Sequence, residues 1–254
     1  MAVALNHRID GSGPRVLLLH AVGMDLTLLD ALTAILAKEF TVLRADLRGH
    51  GKSPYLPATS LEDYADDVHA LLVNLSFTPC AVAGFAMGGM VTQALAVKYP
   101  QNVRALVLAN INHEQTSEGR TALLSRATDA RRDGMEKIVD TTMQRWFTGP
   151  FIARGGDAAV RERLRTDDVR AWSDAFAAMA NVDTAPKLKS IKVPTLCLAG
   201  DADKSTPPPV VKAMADAIPG SRYVVIPGAP HMPFVEMPET VATVVGGFLR
   251  QVLA

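Results

Sequence analysis

Six short apolar runs, most of them separated by stretches of helical spacing, limit the fold of this chain more than any other feature. The runs are "RVLLLH" (Arg15 to His20), "FTVLRADLRGHG" (Phe40 to Gly51, apolar at its start), "CAVAGF", "VRALVLANI" (Val103 to Ile111), "PTLCLAGD" (Pro194 to Asp201) and "RYVVIPG" (Arg222 to Gly228). Each is short, rich in β-branched residues or leucine, and bounded by Gly, Pro or Asp, as a strand buried on both faces requires. Between them lie "LTLLDALTAILAK" (Leu26 to Lys38), "SLEDYADDVHALLVNL" with Ser60 as N-cap and acidic residues in the first turn, and "MGGMVTQALAVKYP", stopped by Pro100. A closing helix is expected over Pro238 to Leu253. Strands alternating with helices predict an α/β fold with a mostly parallel sheet flanked by helices, and ligand sites at the carboxyl ends of its strands.

One segment breaks this rhythm. From Asn112 to about Lys192 there is no strand-like run, only amphipathic stretches such as "GRTALLSRATDARR", "GMEKIVDTTMQRWF", "DAAVRERLR" and "DVRAWSDAFAAMANV". The division expected is a core domain made of residues 1–111 and 193–254, and a helical lid inserted between strands over residues 112–192. A chain of 254 residues with 48% hydrophobic content can bury one large core of this kind.

Charge narrows the partners. Lys plus Arg number 26 and Asp plus Glu number 26, which gives no electrostatic case for nucleic acid or an anionic membrane surface. A small molecule fits better, with the chain a monomer or homodimer. Cys80 and Cys197 sit in apolar runs without C-x-x-C spacing or neighbouring His, and read as buried thiols suited to a reducing cytoplasm. The start "MAVALNHRIDGSG" lacks a basic region followed by a long apolar run, and no window reaches the roughly 18 apolar residues of a membrane span. A cytoplasmic location is therefore expected.

The most informative turn is "AVAGFAMGGM", Ala81 to Met90, where a strand-like run passes through Gly84-Phe85-Ala86-Met87-Gly88 straight into a helical pattern. This is the setting of a G-x-S-x-G nucleophile elbow, except that Ala86 holds the position of the serine. Four motifs in order, "LLLHAVG", "DLRGHGKS", "GFAMGG" and the pair "GDADKSTPP" with "PGAPHMPFVEMPE", carry a resemblance to the α/β-hydrolases over nearly the whole chain. Within that superfamily the chain is most similar to 3-oxoadipate enol-lactonases, through "RWFTGPF", "GDADKSTPP" and "PGAPHMPFVEMPE".

The resemblance implies roles. His231, in a Gly/Pro-rich loop after "RYVVI", is the expected base. Asp203, the third residue after the strand-ending Gly200, is the expected acid, with Asp201 a local turn residue. The backbone N–H groups of Val22 and Met87 are the expected oxyanion donors, and His20 bridges loops beneath them. In "MQRWFTGPF", Arg145 is expected to pair with a substrate carboxylate while Trp146 packs on its carbon skeleton; Met24, Met87, Met179, Phe147 and Phe234 supply apolar walls. No metal or cofactor is called for.

Such a chain reads as a hydrolase of a small, carboxylated ester or (enol-)lactone by a Ser-Asp-His mechanism, with Ala86 at the nucleophile position. Because Gly84, Gly88, Gly89, Asp203 and His231 are all kept, the favoured origin is a deliberate exchange of serine that leaves bound ligand intact. The alternatives are a natural non-catalytic binder or receptor, a nucleophile-free enzyme in which His231 and Asp203 transfer protons, and a C–C bond hydrolase with the same triad.

Overall fold

The computed structural model describes residues 2–254. Seven strands, β1 (His7–Asp10), β2 (Arg15–Leu19), β3 (Thr41–Ala45), β4 (Cys80–Phe85), β5 (Val103–Ala109), β6 (Thr195–Gly200) and β7 (Arg222–Ile226), form one sheet in the order β1-β3-β2-β4-β5-β6-β7. Every pairing is parallel except β1 with β3. The central strands are apolar on both faces because both faces are covered: β4 and β6 are buried at every position, and Leu17, Leu18 and Leu19 of β2 have no exposed surface.

The antiparallel strand β1 has no counterpart in the sequence reading. Its residues His7-Arg8-Ile9-Asp10 are exposed or partly so, and carry neither an apolar run nor clean alternation. It exists because β3 offers it a row of free backbone groups, in the register His7 to Ala45 through Asp10 to Val42. Arg44 of β3 reaches across to Asp10 at 2.6 Å, and the charged strand closes that edge of the sheet.

The helices follow their local signals. A 3₁₀ turn over Leu26–Leu29 leads into α1 (Asp30–Leu36). Helix α2 (Leu61–Asn74) starts with a capping box in which Ser60 Oγ accepts the Asp63 N–H and the Asp63 carboxylate accepts the Ser60 N–H. Helix α3 (Met87–Lys98) follows β4 after the single residue Ala86, α9 (Pro208–Ala217) lies between β6 and β7, the short α10 (Pro233–Glu236) follows β7, and the closing helix α11 (Pro238–Leu253) has the bounds expected of it.

Between β5 and β6 the chain forms only helices: α4 (Ser117–Asp133), α5 (Met135–Trp146), α6 (Gly149–Ala153), α7 (Ala158–Arg165) and α8 (Val169–Ala180), with a 3₁₀ turn over Ala185–Ser190. Helix α4 packs along α8, and α5 against α7. The two ends of this insertion are clasped where it meets the sheet, by a bridge between Glu114 and Asp183 and by the Thr184 N–H donating to the His113 carbonyl at 2.8 Å. Among the described residues no helix is long and apolar enough to cross a membrane. Cys80 and Cys197 are free and buried, and burial pushes both thiols up to about 12.

Candidate active site

The turn from β4 to α3 is held in a conformation that its central residue does not favour. Ala86 has φ +47° and ψ −120°, and strain of this kind at a residue with a Cβ costs of order 1–3 kcal/mol. Three hydrogen bonds hold it there: the Ala86 N–H donates to the Ala109 carbonyl at 2.9 Å, and the Ala86 carbonyl accepts from Gly89 and Met90 at 2.9 and 3.1 Å, starting the helix. The flanking glycines are demanded by close approach. A Cβ on Gly84 would stand 2.3 Å from the Gly88 carbonyl oxygen, and one on Gly88 would stand 2.4 Å from that of His20. The Ala86 methyl is thereby lifted to the wall of a cavity.

His231 and Asp203 come from the loops after β7 and β6. Gly200 lets these loops touch, since a Cβ there would meet the Ala229 carbonyl oxygen at 2.2 Å. The Asp201 carboxylate accepts the Gly228 N–H at 2.5 Å, as a turn residue joining the same two loops. His231 Nδ1 lies 2.9 Å from Asp203 Oδ2 with both side chains buried, and His231 lines the cavity that Ala86 lines. Asp203 is fully engaged: Oδ1 accepts the N–H groups of Ser205 and Thr206 at 2.7 and 2.9 Å, and Oδ2 also accepts from Asn110 Nδ2 at 3.0 Å. Burial acts to raise this carboxyl, but the charge and hydrogen bond of His231, with the Thr206 N–H and Asn110, outweigh it and hold Asp203 below the usual carboxylate range. Ionised Asp203 fixes the imidazole through Nδ1 and leaves Nε2 for the cavity, an arrangement that can accept a proton there and return it.

Val22 and Met87 both line the cavity that Ala86 and His231 line. Met87 is the first residue of α3, so its N–H has no intrahelical partner, and the Val22 loop is carried by β2. Below this loop the fully buried His20 bridges two segments: Nδ1 donates to the Ala21 carbonyl at 2.8 Å, and Nε2 accepts the Leu47 N–H at 3.0 Å. Burial lowers its pKa, which suits this neutral form.

The cavity measures about 400 Å³, and no carboxylate stands among the residues lining it. Arg145, Trp146 and Met179 line it together with Val22, Ala86, Met87 and His231. Three expected wall residues do not. Met24, in the Val22 loop itself, is fully buried in the hydrophobic core. Phe234 is buried against Phe85, with ring centroids 4.6 Å apart, and Phe147 turns away to stack on Phe151 of α6 at 5.1 Å. For these the sequence showed apolar character but not direction, and core packing claimed them.

Of the cavity residues that the sequence reading missed, two bear on the chemistry. Asn110, buried at the end of β5 with φ +57°, orients Asp203 as described. Arg126 lies on the inner face of α4, in a register with Leu123, Ala127 and Ala130 that the i, i+3, i+4 spacing could have shown. Its Nη2 donates to Thr142 Oγ1 at 3.0 Å, and its guanidinium lies 4.9 Å from the Phe176 ring centroid. Burial, with the like charge of Arg145 adding to it, lowers its pKa to about 10. Arg131, Arg132, Arg161, Arg163, Arg165 and Arg170 of the insertion all have carboxylate partners. Among the described residues Arg120, Arg126, Arg145 and Arg154 have none, and of these Arg126 and Arg145 line the cavity.

A strained turn beneath a His–Asp pair, on a mostly parallel seven-stranded sheet, is the arrangement of a hydrolase. A sequence profile described as "Alpha/beta hydrolase family" matches residues 16–244, and the chain belongs to that family. It is 27% identical over 253 residues to 3-oxoadipate enol-lactonase 1 of Acinetobacter baylyi, covering 98% of this chain and 94% of the relative. Among solved structures it is similar to a thermophilic esterase from Thermogutta terrifontis with malate bound, with TM-score 0.93, 31% identity, and 99% and 95% of the two chains covered. It is likewise similar to the enol-lactonase from Burkholderia xenovorans, with TM-score 0.93, 30% identity, and 98% and 97% covered.

Proposed function

We propose that this protein is the scaffold of a hydrolase for a small carboxylated ester or (enol-)lactone, working by a Ser-Asp-His mechanism whose nucleophile position is Ala86. The observation that carries this reading is the His231–Asp203 pair at 2.9 Å, on the cavity into which the strained Ala86 turn projects. With serine at position 86, His231 takes its proton, the oxygen attacks the acyl carbon, and the Val22 and Met87 N–H groups hold the oxyanion. The alcohol or enol portion then leaves with a proton from His231. Water, activated by His231, releases the acid. As it stands the chain binds ligand and turns it over poorly, since loss of the nucleophile from such a triad costs on the order of 10⁶ in rate.

The carboxylate follows from charge. Two guanidinium groups, Arg126 and Arg145, face a cavity without an acidic residue, and a buried cation without a counter-ion favours an anionic occupant. Arg126 is the better-placed anchor, because Arg145 is exposed while Arg126 is braced by Thr142 and Phe176. The malate in the Thermogutta terrifontis esterase and the adipate-derived lactone in the name of the Acinetobacter baylyi relative agree with an acidic substrate. In this reading residues 112–192 are a lid over the core formed by residues 1–111 and 193–254.

Ala86 itself favours a second reading, a binder or a proton-transfer enzyme without a nucleophile. One experiment separates the two: a panel of carboxylated and neutral esters and lactones offered to the protein and to Ala86→Ser. Hydrolysis that appears only with the serine supports the hydrolase. Turnover by the unaltered protein that His231→Ala abolishes and Ala86→Ser leaves unchanged replaces it with the proton-transfer enzyme.

A further inference from the structure

The helical insertion also packs on the loop that carries Val22. Gly23, with φ +69°, lies so close beneath α7 and α8 that a Cβ there would meet Leu164 Cδ2 at 2.4 Å and Trp172 Cζ3 at 2.6 Å. Two residues further on, Asp25 enters an ion cluster with the same part of the insertion. Arg163 Nε stands 3.0 Å from Asp25 Oδ2, and Arg163 Nη2 stands 2.6 Å from Asp167 Oδ1. All three side chains are largely buried, at 15%, 17% and 2% exposed. The other Asp25 oxygen accepts the Thr27 N–H at 2.9 Å and caps the 3₁₀ turn that follows. Within the loop itself the backbone supplies one long hydrogen bond, from the Met24 N–H to the Ala21 carbonyl at 3.3 Å.

A loop so poorly braced from within is held from outside. An oxyanion donor is effective only within about 2.7–3.1 Å of the developing charge, and supporting residues must keep it in place to within about 0.5 Å. A buried ion pair contributes little net stability against an apolar pair of the same shape, so fixing a position is the better account of its presence.

We propose that Arg163 is a positioning residue: through Asp25, and with Leu164 packed on Gly23, it holds the Val22 N–H over residue 86, so that the insertion is a structural part of the oxyanion site and not only its cover. This rests on the assignment of Val22 as an oxyanion donor under Proposed function. Arg163 touches no substrate, and its effect is transmitted through the loop.

The test has two arms. In the protein as it stands, hydrogen exchange of the amides of residues 21–26 is compared with that of Arg163→Met/Asp167→Asn, which removes both members of the buried pair together; Asp25→Asn is the second variant should the first fail to fold. Exchange in this segment is expected to accelerate about tenfold or more, with the strands of the sheet unchanged. In the Ala86→Ser background the same changes are expected to lower kcat by about 10- to 100-fold, part of the 10²–10³ lost with a whole donor, and to leave KM within about twofold. A boronic acid that mimics the tetrahedral adduct should weaken by the same factor as kcat, and Arg163→Lys should recover part of it. Unchanged exchange at residues 21–26, or a rise in KM at constant kcat, overturns the proposal. If Ala86→Ser hydrolyses nothing, the hydrolase reading falls and takes the catalytic consequence with it, while the exchange arm still decides whether Arg163 orders the Val22 loop.

Discussion

Two buried aspartates, one at the end of the sheet and one in the helical insertion, meet opposite fates. Asp203 accepts two backbone N–H groups, the Asn110 amide and His231, and these overcome burial to keep it ionised. Asp167 lies against Arg163, yet neither of its oxygens receives a well-aligned hydrogen bond, and burial pushes it up to about 7 with the Arg163 charge pulling back. The difference is one of hydrogen bonding. Strand ends and tight loops aim free N–H groups at a carboxylate, whereas Asp167, between α7 and α8, depends on one long side chain. The sheet end is built to keep a charge in a fixed place; the junction of the insertion holds one with little support.

The largest effect expected tests whether the sheet end is a reactive site at all. Ala86→Ser should raise hydrolysis of carboxylated esters or lactones by up to about 10⁶-fold, measured as steady-state kcat/KM against the unaltered protein. In that background Asp203→Asn should cost about 10⁴-fold in kcat, because the amide no longer selects the tautomer with Nε2 free. A comparable loss from Asp167→Asn would erase the contrast between the two carboxylates. Arg126→Met should weaken carboxylated substrates by about one to two orders of magnitude and spare neutral ones, since a charge-assisted pair contributes roughly 1.5–3 kcal/mol and each decade is about 1.4 kcal/mol. The same measurement on Arg145→Met ranks the two cations, with the smaller loss expected for the exposed Arg145.

The smallest effects are on stability, and they differ in sign. With its folded pKa raised to about 7 from 3.8, Asp167 binds its proton more tightly in the folded state. Its contribution to stability is greatest below the unfolded value and is lost as pH rises through about 7. Asp203, depressed in the fold, contributes above the unfolded value and is lost as pH falls through its folded value. Urea midpoints measured from pH 2 to 8 should therefore decline less between pH 4 and 8 for Asp167→Asn than for the unaltered protein. Asp203→Asn should cost stability at pH 7 and progressively less in acid. Parallel curves for all three proteins would mean that neither carboxylate changes its proton affinity on folding.

Much of the molecule was legible in the sequence, for reasons that are local. Strands β2, β4, β5 and β6 announced themselves because a strand covered on both faces is largely apolar; β3 did so despite Arg44, and β7 by its β-branched run, although it is a half-exposed edge strand and not the buried one expected. Ser60 named its helix start through the N–H groups it caps. The glycines of "GFAMGG" mark a turn too tight for a Cβ whatever residue stands at position 86. Asp203 and His231 were named through the resemblance to the α/β-hydrolases, whose pattern counts the acid from a strand-ending glycine, here Gly200, and places the base in the loop after the next strand. Tertiary structure decided the rest, because the deciding partner was distant in sequence. Strand β1 depends on the free edge of β3, and the direction of Met24, Phe147 and Phe234 on neighbours that packed them out of the cavity. Arg126 and Arg163 are similar arginines on amphipathic helices; one meets an acid-free cavity and the other a buried aspartate, and only the docking of the insertion on the core makes that distinction.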